Sequence, residues 1–168
     1  MPIVIYKLGD DVSTDVIYPG RYMATVLPTE TPQYAFADLQ DLNAALASGR
    51  VAPGSIIVAG SNFGCGSSRE QAASCLKGHA LVIVAKSIAR IFLQNAVNVG
   101  LETYIAPDLV AELGDELEFS PDKVKNKTRD KEFVILPYAA TRQAIIKSGG
   151  LVAYTRQRLM KQAAATVR

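Results

Sequence analysis

The chain has 168 residues, 49% of them hydrophobic and 20% charged, which fits one ordinary folded domain and excludes a disordered or fibrous chain. Its 18 basic and 16 acidic residues leave a formal charge of +2, too even a balance to argue for a nucleic-acid or anionic-membrane partner. Two cysteines, Cys65 and Cys75, and one histidine, His79, are too few to hold an iron–sulfur cluster, and a zinc site would need all three plus another ligand.

The N-terminus, Met1 to Lys7, has neither the charged front nor the long apolar core of a signal peptide, and no apolar run approaches a membrane span. A cytoplasmic location with reduced thiols is expected. Ile3-Val4-Ile5-Tyr6 is a short β-rich run closed by Gly9-Asp10, an opening strand. Asp10, Asp11 and Asp15 then crowd a polar loop with Ser13 and Thr14, and side chains of this kind bond their own backbone in solvated turns. Pro19-Gly20 marks a further turn. From Thr29 to Gly49 the spacing of Tyr34, Leu39, Leu42 and Leu46 is near 3.6 and predicts a short amphipathic helix ended by Gly49.

Ser55-Ile56-Ile57-Val58-Ala59 reads as a strand, Gly60 to Ser67 as a glycine-rich turn, and about Ser68 to Leu76 as a helix stopped by Lys77-Gly78. Ala80 to Ala85 is a continuous apolar run, the pattern of a strand buried on both faces, so the three segments predict a right-handed parallel βαβ unit. The turn then lies at the C-terminal edge of its strand, where open α/β sheets bind ligands. His79 heads the second strand and reads as structural. Ser87 to Ala96 predicts a second helix, capped by Ser87, and Thr103-Tyr104-Ile105 a further strand. Asp115 to Phe119 and Glu132 to Leu136 predict a β-hairpin around a charged tip, Asp122 to Lys131. Thr141 to Ser148 is a helix stopped by Gly149-Gly150, and residues 155–168 form a basic, acid-free tail that frays or docks on a partner.

The stretch Gly64-Cys65-Gly66-Ser67-Ser68-Arg69-Glu70-Gln71 carries the chemistry. Its glycines let the backbone approach a ligand closely. Ser67 to Glu70 fits a capping box, which sets a hydroxyl, a guanidinium and free N–H groups at a positive helix end suited to carboxylates or phosphates. A P-loop would need Lys where Ser67 stands, a dinucleotide fingerprint would need Gly at Arg69, and neither serine sits in a Gly-x-Ser-x-Gly elbow. An ordinary capped helix after a tight turn is the plain alternative. Arg69, a bidentate carboxylate binder in a loop otherwise free of charge, argues for the ligand. Cys65 reads as a small residue fitted between glycines.

Gly64 to Glu70, with Asp11-Val12-Ser13-Thr14-Asp15 upstream and Ser87 to Phe92 downstream, resembles the small subunits of the 3-isopropylmalate dehydratases, the free-standing form of the aconitase-superfamily swivel domain. The resemblance spans roughly Ile3 to Tyr154. It implies an α/β fold: a swivelling β/β/α domain, three-layer, with a mixed, partly parallel sheet flanked by helices, in a single domain over residues 1–168. It implies a heteromeric hydro-lyase of leucine biosynthesis that interconverts 2-isopropylmalate and 3-isopropylmalate through isopropylmaleate. The implied [4Fe–4S] cluster is held by a large subunit and not by this chain, and the assembly could be a heterotetramer. Matched residue by residue, Ser67 is the base that moves the proton, Asp15 lies in the active site, and Ser68 and Arg69 bind a substrate carboxylate.

Tyr22-Met23-Ala24-Thr25 matches the mobile loop that contacts the substituent distinguishing one substrate from another. Ala24 stands where homoaconitase-like members carry an arginine, and an alanine beside a methionine favours an apolar group, because an unpaired buried carboxylate is costly. Arg21 adjoins this loop, as a pocket residue or a surface residue at a turn. Gln71 departs from the aconitase pattern, where histidine is common after the glutamate; an amide there still offers a hydrogen bond. Two other readings stay open. One is a related dehydratase acting on dimethylmalate, methylmalate (citraconate) or homoaconitate. The other is a binding or assembly module that keeps the fold without catalysis.

Overall fold

The apolar runs become the middle of a four-stranded parallel sheet in the computed structural model, which describes residues 2–166. Strands β1 (Val4–Lys7), β2 (Ile56–Ala59), β3 (Val82–Ala85) and β4 (Glu102–Ile105) lie side by side in that order. β2 and β3 pair in register from Ile56 with Val82 to Ala59 with Ala85, and both are buried throughout. Successive side chains therefore serve two cores. Ile57, Ala59, Ile83 and Ala85 join the helices on one face, and Ile56, Val58, Val82 and Val84 face a second layer on the other.

That second layer is a three-stranded antiparallel sheet, β5 (Leu117–Phe119), β6 (Lys123–Asn126) and β7 (Lys131–Val134). An antiparallel bridge from Ile3 to Glu116 joins it to the edge at β1. The helical layer holds α1 (Thr14–Ile17), α2 (Gln40–Ala47), α3 (Glu70–Gly78) and α4 (Arg90–Val99), whose buried residues include Leu42, Leu46, Ala72, Leu76, Phe92 and Ala96. The order helices, parallel sheet, antiparallel sheet is the expected three-layer fold, with its parallel and antiparallel parts in two layers. Helices α5 (Ala140–Lys147) and α6 (Leu151–Thr166) follow, packed against the end of α4 where Gly100 lies so close to Gly149 and Gly150 that an added Cβ would stand 2.5 Å from the Gly149 carbonyl carbon.

Several boundaries depart from the sequence reading, each for a tertiary reason. The helix expected across Thr29–Gly49 splits into a 3-10 turn at Thr31–Tyr34 and α2, because Phe36 takes φ +52° and donates its N–H to Ile17 O at 2.8 Å. The expected capping box at Ser67 to Glu70 and the Ser87 cap also differ. Helix α3 begins at Glu70 with Arg69 as N-cap and no side-chain cap. Helix α4 begins at Arg90, while Ser87 Oγ accepts from the Asn62 N–H at 2.8 Å. His79 caps the end of α3, its Nε2 2.9 Å from Pro32 O. The charged hairpin tip is itself a strand, β6, with Val124 and Asn126 buried. The basic tail continues as α6; of its residues, 167 and 168 lie outside those described.

Candidate active site

Three loops leave the C-terminal ends of β1, β2 and β3 and are stitched to one another by their backbones. Gly60 N–H donates to Gly9 O at 3.0 Å, Asp11 N–H to Ser61 O at 2.8 Å, Gly64 N–H to Val12 O at 2.7 Å and Thr14 N–H to Cys65 O at 2.8 Å. On the other side Phe63 N–H donates to Ser87 O at 3.1 Å and Ala89 N–H to Phe63 O at 2.8 Å. Asp10 Oδ1 accepts from Ser61 N–H at 2.6 Å, and Asn62 Nδ2 donates to Asp11 Oδ1 at 2.8 Å. The three sequence motifs are thus three adjacent loops at one sheet edge.

Two glycines are obligatory in this weave. A Cβ on Gly60 would stand 2.0 Å from Asp10 Oδ1, and one on Gly64, at φ +79°, 2.3 Å from the Phe92 ring. Phe92 in turn meets Phe63 edge-on, at 5.2 Å between centroids. Cys65 is half-buried, its Sγ 3.5 Å from Asp11 O.

The weave decides what Ser67 and Ser68 present. The buried Thr14 hydroxyl donates to Ser67 O at 2.9 Å, which holds the backbone ahead of α3 instead of letting it coil. Both serine side chains are exposed, and neither hydroxyl has a hydrogen-bond partner among the described residues. Ser67 is therefore a free hydroxyl close to the start of a helix, where N–H groups and the positive dipole end favour a negative oxygen.

Arg69 is 13% exposed, and its Nη1 lies 2.5 Å from Asp15 Oδ1 and donates to Tyr18 O at 3.1 Å. Asp15 is 56% exposed, so the pair shields its cation and shows its carboxylate. Gly20 lies against this pair: a Cβ there would be 3.5 Å from Arg69 Nη2. The pair brings Asp15 to the segment that also carries Ser67 and Ser68.

The loop Tyr22-Met23-Ala24-Thr25 follows directly. Tyr22, Met23 and Thr25 are half-buried and Ala24 is exposed. Tyr22 stacks on Tyr34 at 4.1 Å between centroids. Arg21 holds Asp38 with two hydrogen bonds, 3.0 and 2.5 Å, and lies over the Tyr22 ring; the structure commits its fork to that exposed pair.

Two residues hold the loop's backbone, Gln71, whose amide the sequence offered for a hydrogen bond, and Tyr18, which no motif announces. The Gln71 amide donates to Met23 O at 3.4 Å. The Tyr18 hydroxyl reaches Tyr22 O at 3.1 Å and Thr25 O at 3.3 Å. The one signal for Tyr18 is chemical: a tyrosine in an apolar run must find a partner for its hydroxyl once buried.

A cleft of about 740 Å³ opens beside this edge, lined by Val26, Pro28, Ser68, Gln71, Asn98 and Val152 among others. Ser67, Arg69 and Asp15 lie outside its lining; Ser67 and Asp15 are exposed, while Arg69 is largely shielded. The residues present do not fit a metal or an iron–sulfur cluster. Among the described residues no three His, Cys, Asp or Glu side chains form a group able to hold a metal. Cys75 is buried in α3, its thiol pushed up by burial, and its Sγ lies 3.3 Å from Ala72 O. No described helix is long and apolar enough to cross a membrane.

Known proteins share this architecture. The Aconitase C-terminal domain family matches residues 23–104. The chain is 41% identical over 160 residues to the 3-isopropylmalate dehydratase small subunit of Thermodesulfovibrio yellowstonii, covering 92% of this chain and 93% of that protein. It is equally similar to the small subunit from Aquifex aeolicus, 41% over 160 residues, at 92% and 94% coverage. The crystal structure of 3-isopropylmalate dehydratase from Methanocaldococcus jannaschii superposes with a TM-score of 0.86 and 36% identity over 97% of each chain.

Proposed function

The chain belongs to the family of 3-isopropylmalate dehydratase small subunits, and from that premise we propose that it supplies half of the active site of a two-subunit hydro-lyase of leucine biosynthesis. The reaction removes water from 2-isopropylmalate and returns it to isopropylmaleate with the hydroxyl on the neighbouring carbon. The observation that carries this reading is the free Ser67 hydroxyl beside the Arg69–Asp15 pair at the C-terminal edge of the parallel sheet.

In this reading Ser67, as alkoxide, takes the proton from the carbon beside a substrate carboxylate and later returns it. A serine hydroxyl is a weak base, so the anion needs the start of α3 and the neighbouring guanidinium to stabilise it. Arg69 and Ser68 bind the carboxylate, which withdraws charge from the carbon that loses its proton. Asp15 orients the Arg69 fork. The loop Tyr22-Met23-Ala24-Thr25 lines the place of the isopropyl group, where an exposed Ala24 leaves no cation for a further carboxylate, and Arg21 buttresses the loop through Asp38. The [4Fe–4S] cluster is assigned to the large subunit, and the complex to the cytoplasm.

The test is anaerobic co-expression with the large subunit of the same organism, followed by a panel of 2-isopropylmalate, dimethylmalate, methylmalate and homoaconitate. The highest kcat/KM is expected for 2-isopropylmalate. Faster turnover of another acid would replace the substrate, and a cluster-loaded pair inert towards all four would remove the hydro-lyase reading.

A further inference from the structure

We propose that Tyr18 is a positioning residue that couples the carboxylate clamp to the loop facing the substrate's alkyl group. Its carbonyl accepts from Arg69 Nη1 at 3.1 Å, while its hydroxyl reaches Tyr22 O at 3.1 Å and Thr25 O at 3.3 Å. The inference rests on the reading of Tyr22 to Thr25 as the specificity loop.

Tyr18 is 0% exposed, so its hydroxyl has one proton to share between two carbonyls and no bulk water to replace it. Burial pushes that hydroxyl up from its ordinary range, and it remains a donor at every working pH. Its ring meets Tyr34 edge-on at 6.2 Å, and Tyr34 stacks on Tyr22 at 4.1 Å. Between those two carbonyls, Gln71 Nε2 donates to Met23 O at 3.4 Å.

The loop is thus held by its backbone from the protein side, and Ala24 is left turned to solvent. This matters because an apolar pocket discriminates a single methylene by only about 10- to 200-fold. A wall that wanders loses part of even that. The same residue fixes the guanidinium, so the distance between carboxylate site and alkyl site is set within one tyrosine.

Two measurements test this. In the reconstituted pair, Tyr18→Phe should raise KM for 2-isopropylmalate about three- to tenfold, leave kcat within about twofold, and lower the preference over 2-ethylmalate by a similar factor. In the isolated full chain, amide hydrogen exchange at residues 22–25 should quicken while β2 and α3 keep their protection. Tyr34→Leu, which removes the stack and leaves the Tyr18 hydroxyl in place, should give the same loss of discrimination. Unchanged exchange at residues 22–25 in Tyr18→Phe, or unaltered KM and preference in an active pair, overturns the proposal. If the wild-type pair does not turn over 2-isopropylmalate, the functional reading fails on its own, and the exchange measurement still decides whether Tyr18 anchors the loop.

Discussion

Arg69, the N-cap of α3, meets Asp15 of α1, Nη1 to Oδ1 at 2.5 Å, with the guanidinium 13% and the carboxylate 56% exposed. A cation shielded in this way is held in one orientation before substrate arrives. Arg69→Lys keeps the charge and loses the planar fork. Steady-state kinetics of the reconstituted enzyme should show KM raised about 10- to 100-fold, with a smaller change in kcat. A variant with the parent's KM and kcat would mean that Arg69 does not bind the carboxylate.

Ser67 projects a hydroxyl that does no structural work among the described residues, since only its carbonyl is bonded, to Thr14. Ser67→Ala should therefore fold normally, with stability within about 0.5 kcal/mol of the parent. Its kcat should fall about 10²- to 10⁴-fold, the range for loss of a positioned general base, while KM changes little. Near-parental turnover would assign the proton transfer to another group.

Ala24 is the exposed member of a half-buried loop. If this loop has the specificity role proposed for it, Ala24→Arg should shift kcat/KM towards homoaconitate at the expense of 2-isopropylmalate. The favoured substrate gains a charge-assisted pair and the disfavoured one meets a cation without a partner. A substrate profile identical to the parent's would remove this loop from specificity.

Asp115 is the acid-sensitive joint of the second layer. Burial alone would raise its carboxyl, but Arg129 Nε at 2.7 Å, Asn126 Nδ2 at 2.8 Å and the Glu112 N–H at 2.9 Å outweigh it, and the carboxyl is held below its ordinary 3.8. A depressed folded value means that the stabilisation is complete above the unfolded value and is lost as pH falls through the folded one. Asp115→Asn should cost about 1–3 kcal/mol at pH 7 by chemical denaturation. The difference from the parent should shrink below about pH 4. A gap of equal size in acid would show that the ionised form contributes nothing.

The parallel unit was legible because β2 and β3 are uninterrupted apolar runs, and the meeting of the three loops because their motifs carry unusual Gly, Ser and Arg patterns. The misplaced boundaries share one cause. Ser67 and Ser87 both look like helix caps, yet each is held by another loop, through Thr14 Oγ1 and the Asn62 N–H respectively, and local patterns do not encode such partners. Phe36 breaks a helical period for the same reason. β6 was hidden because its charges, Lys123 and Lys125, alternate with the buried Val124 and Asn126, so that half of a genuine strand pattern reads as surface. Tyr18 had no motif at all; only the contacts of its hydroxyl reveal what it does.

The three stitched loops have a consequence for how two subunits become one enzyme. Residues held by backbone bonds to both neighbours have little freedom left to surrender, so these loops are expected to keep their shape when a large subunit docks rather than fold upon contact. The chain is therefore expected to carry these loops already in place before any partner arrives.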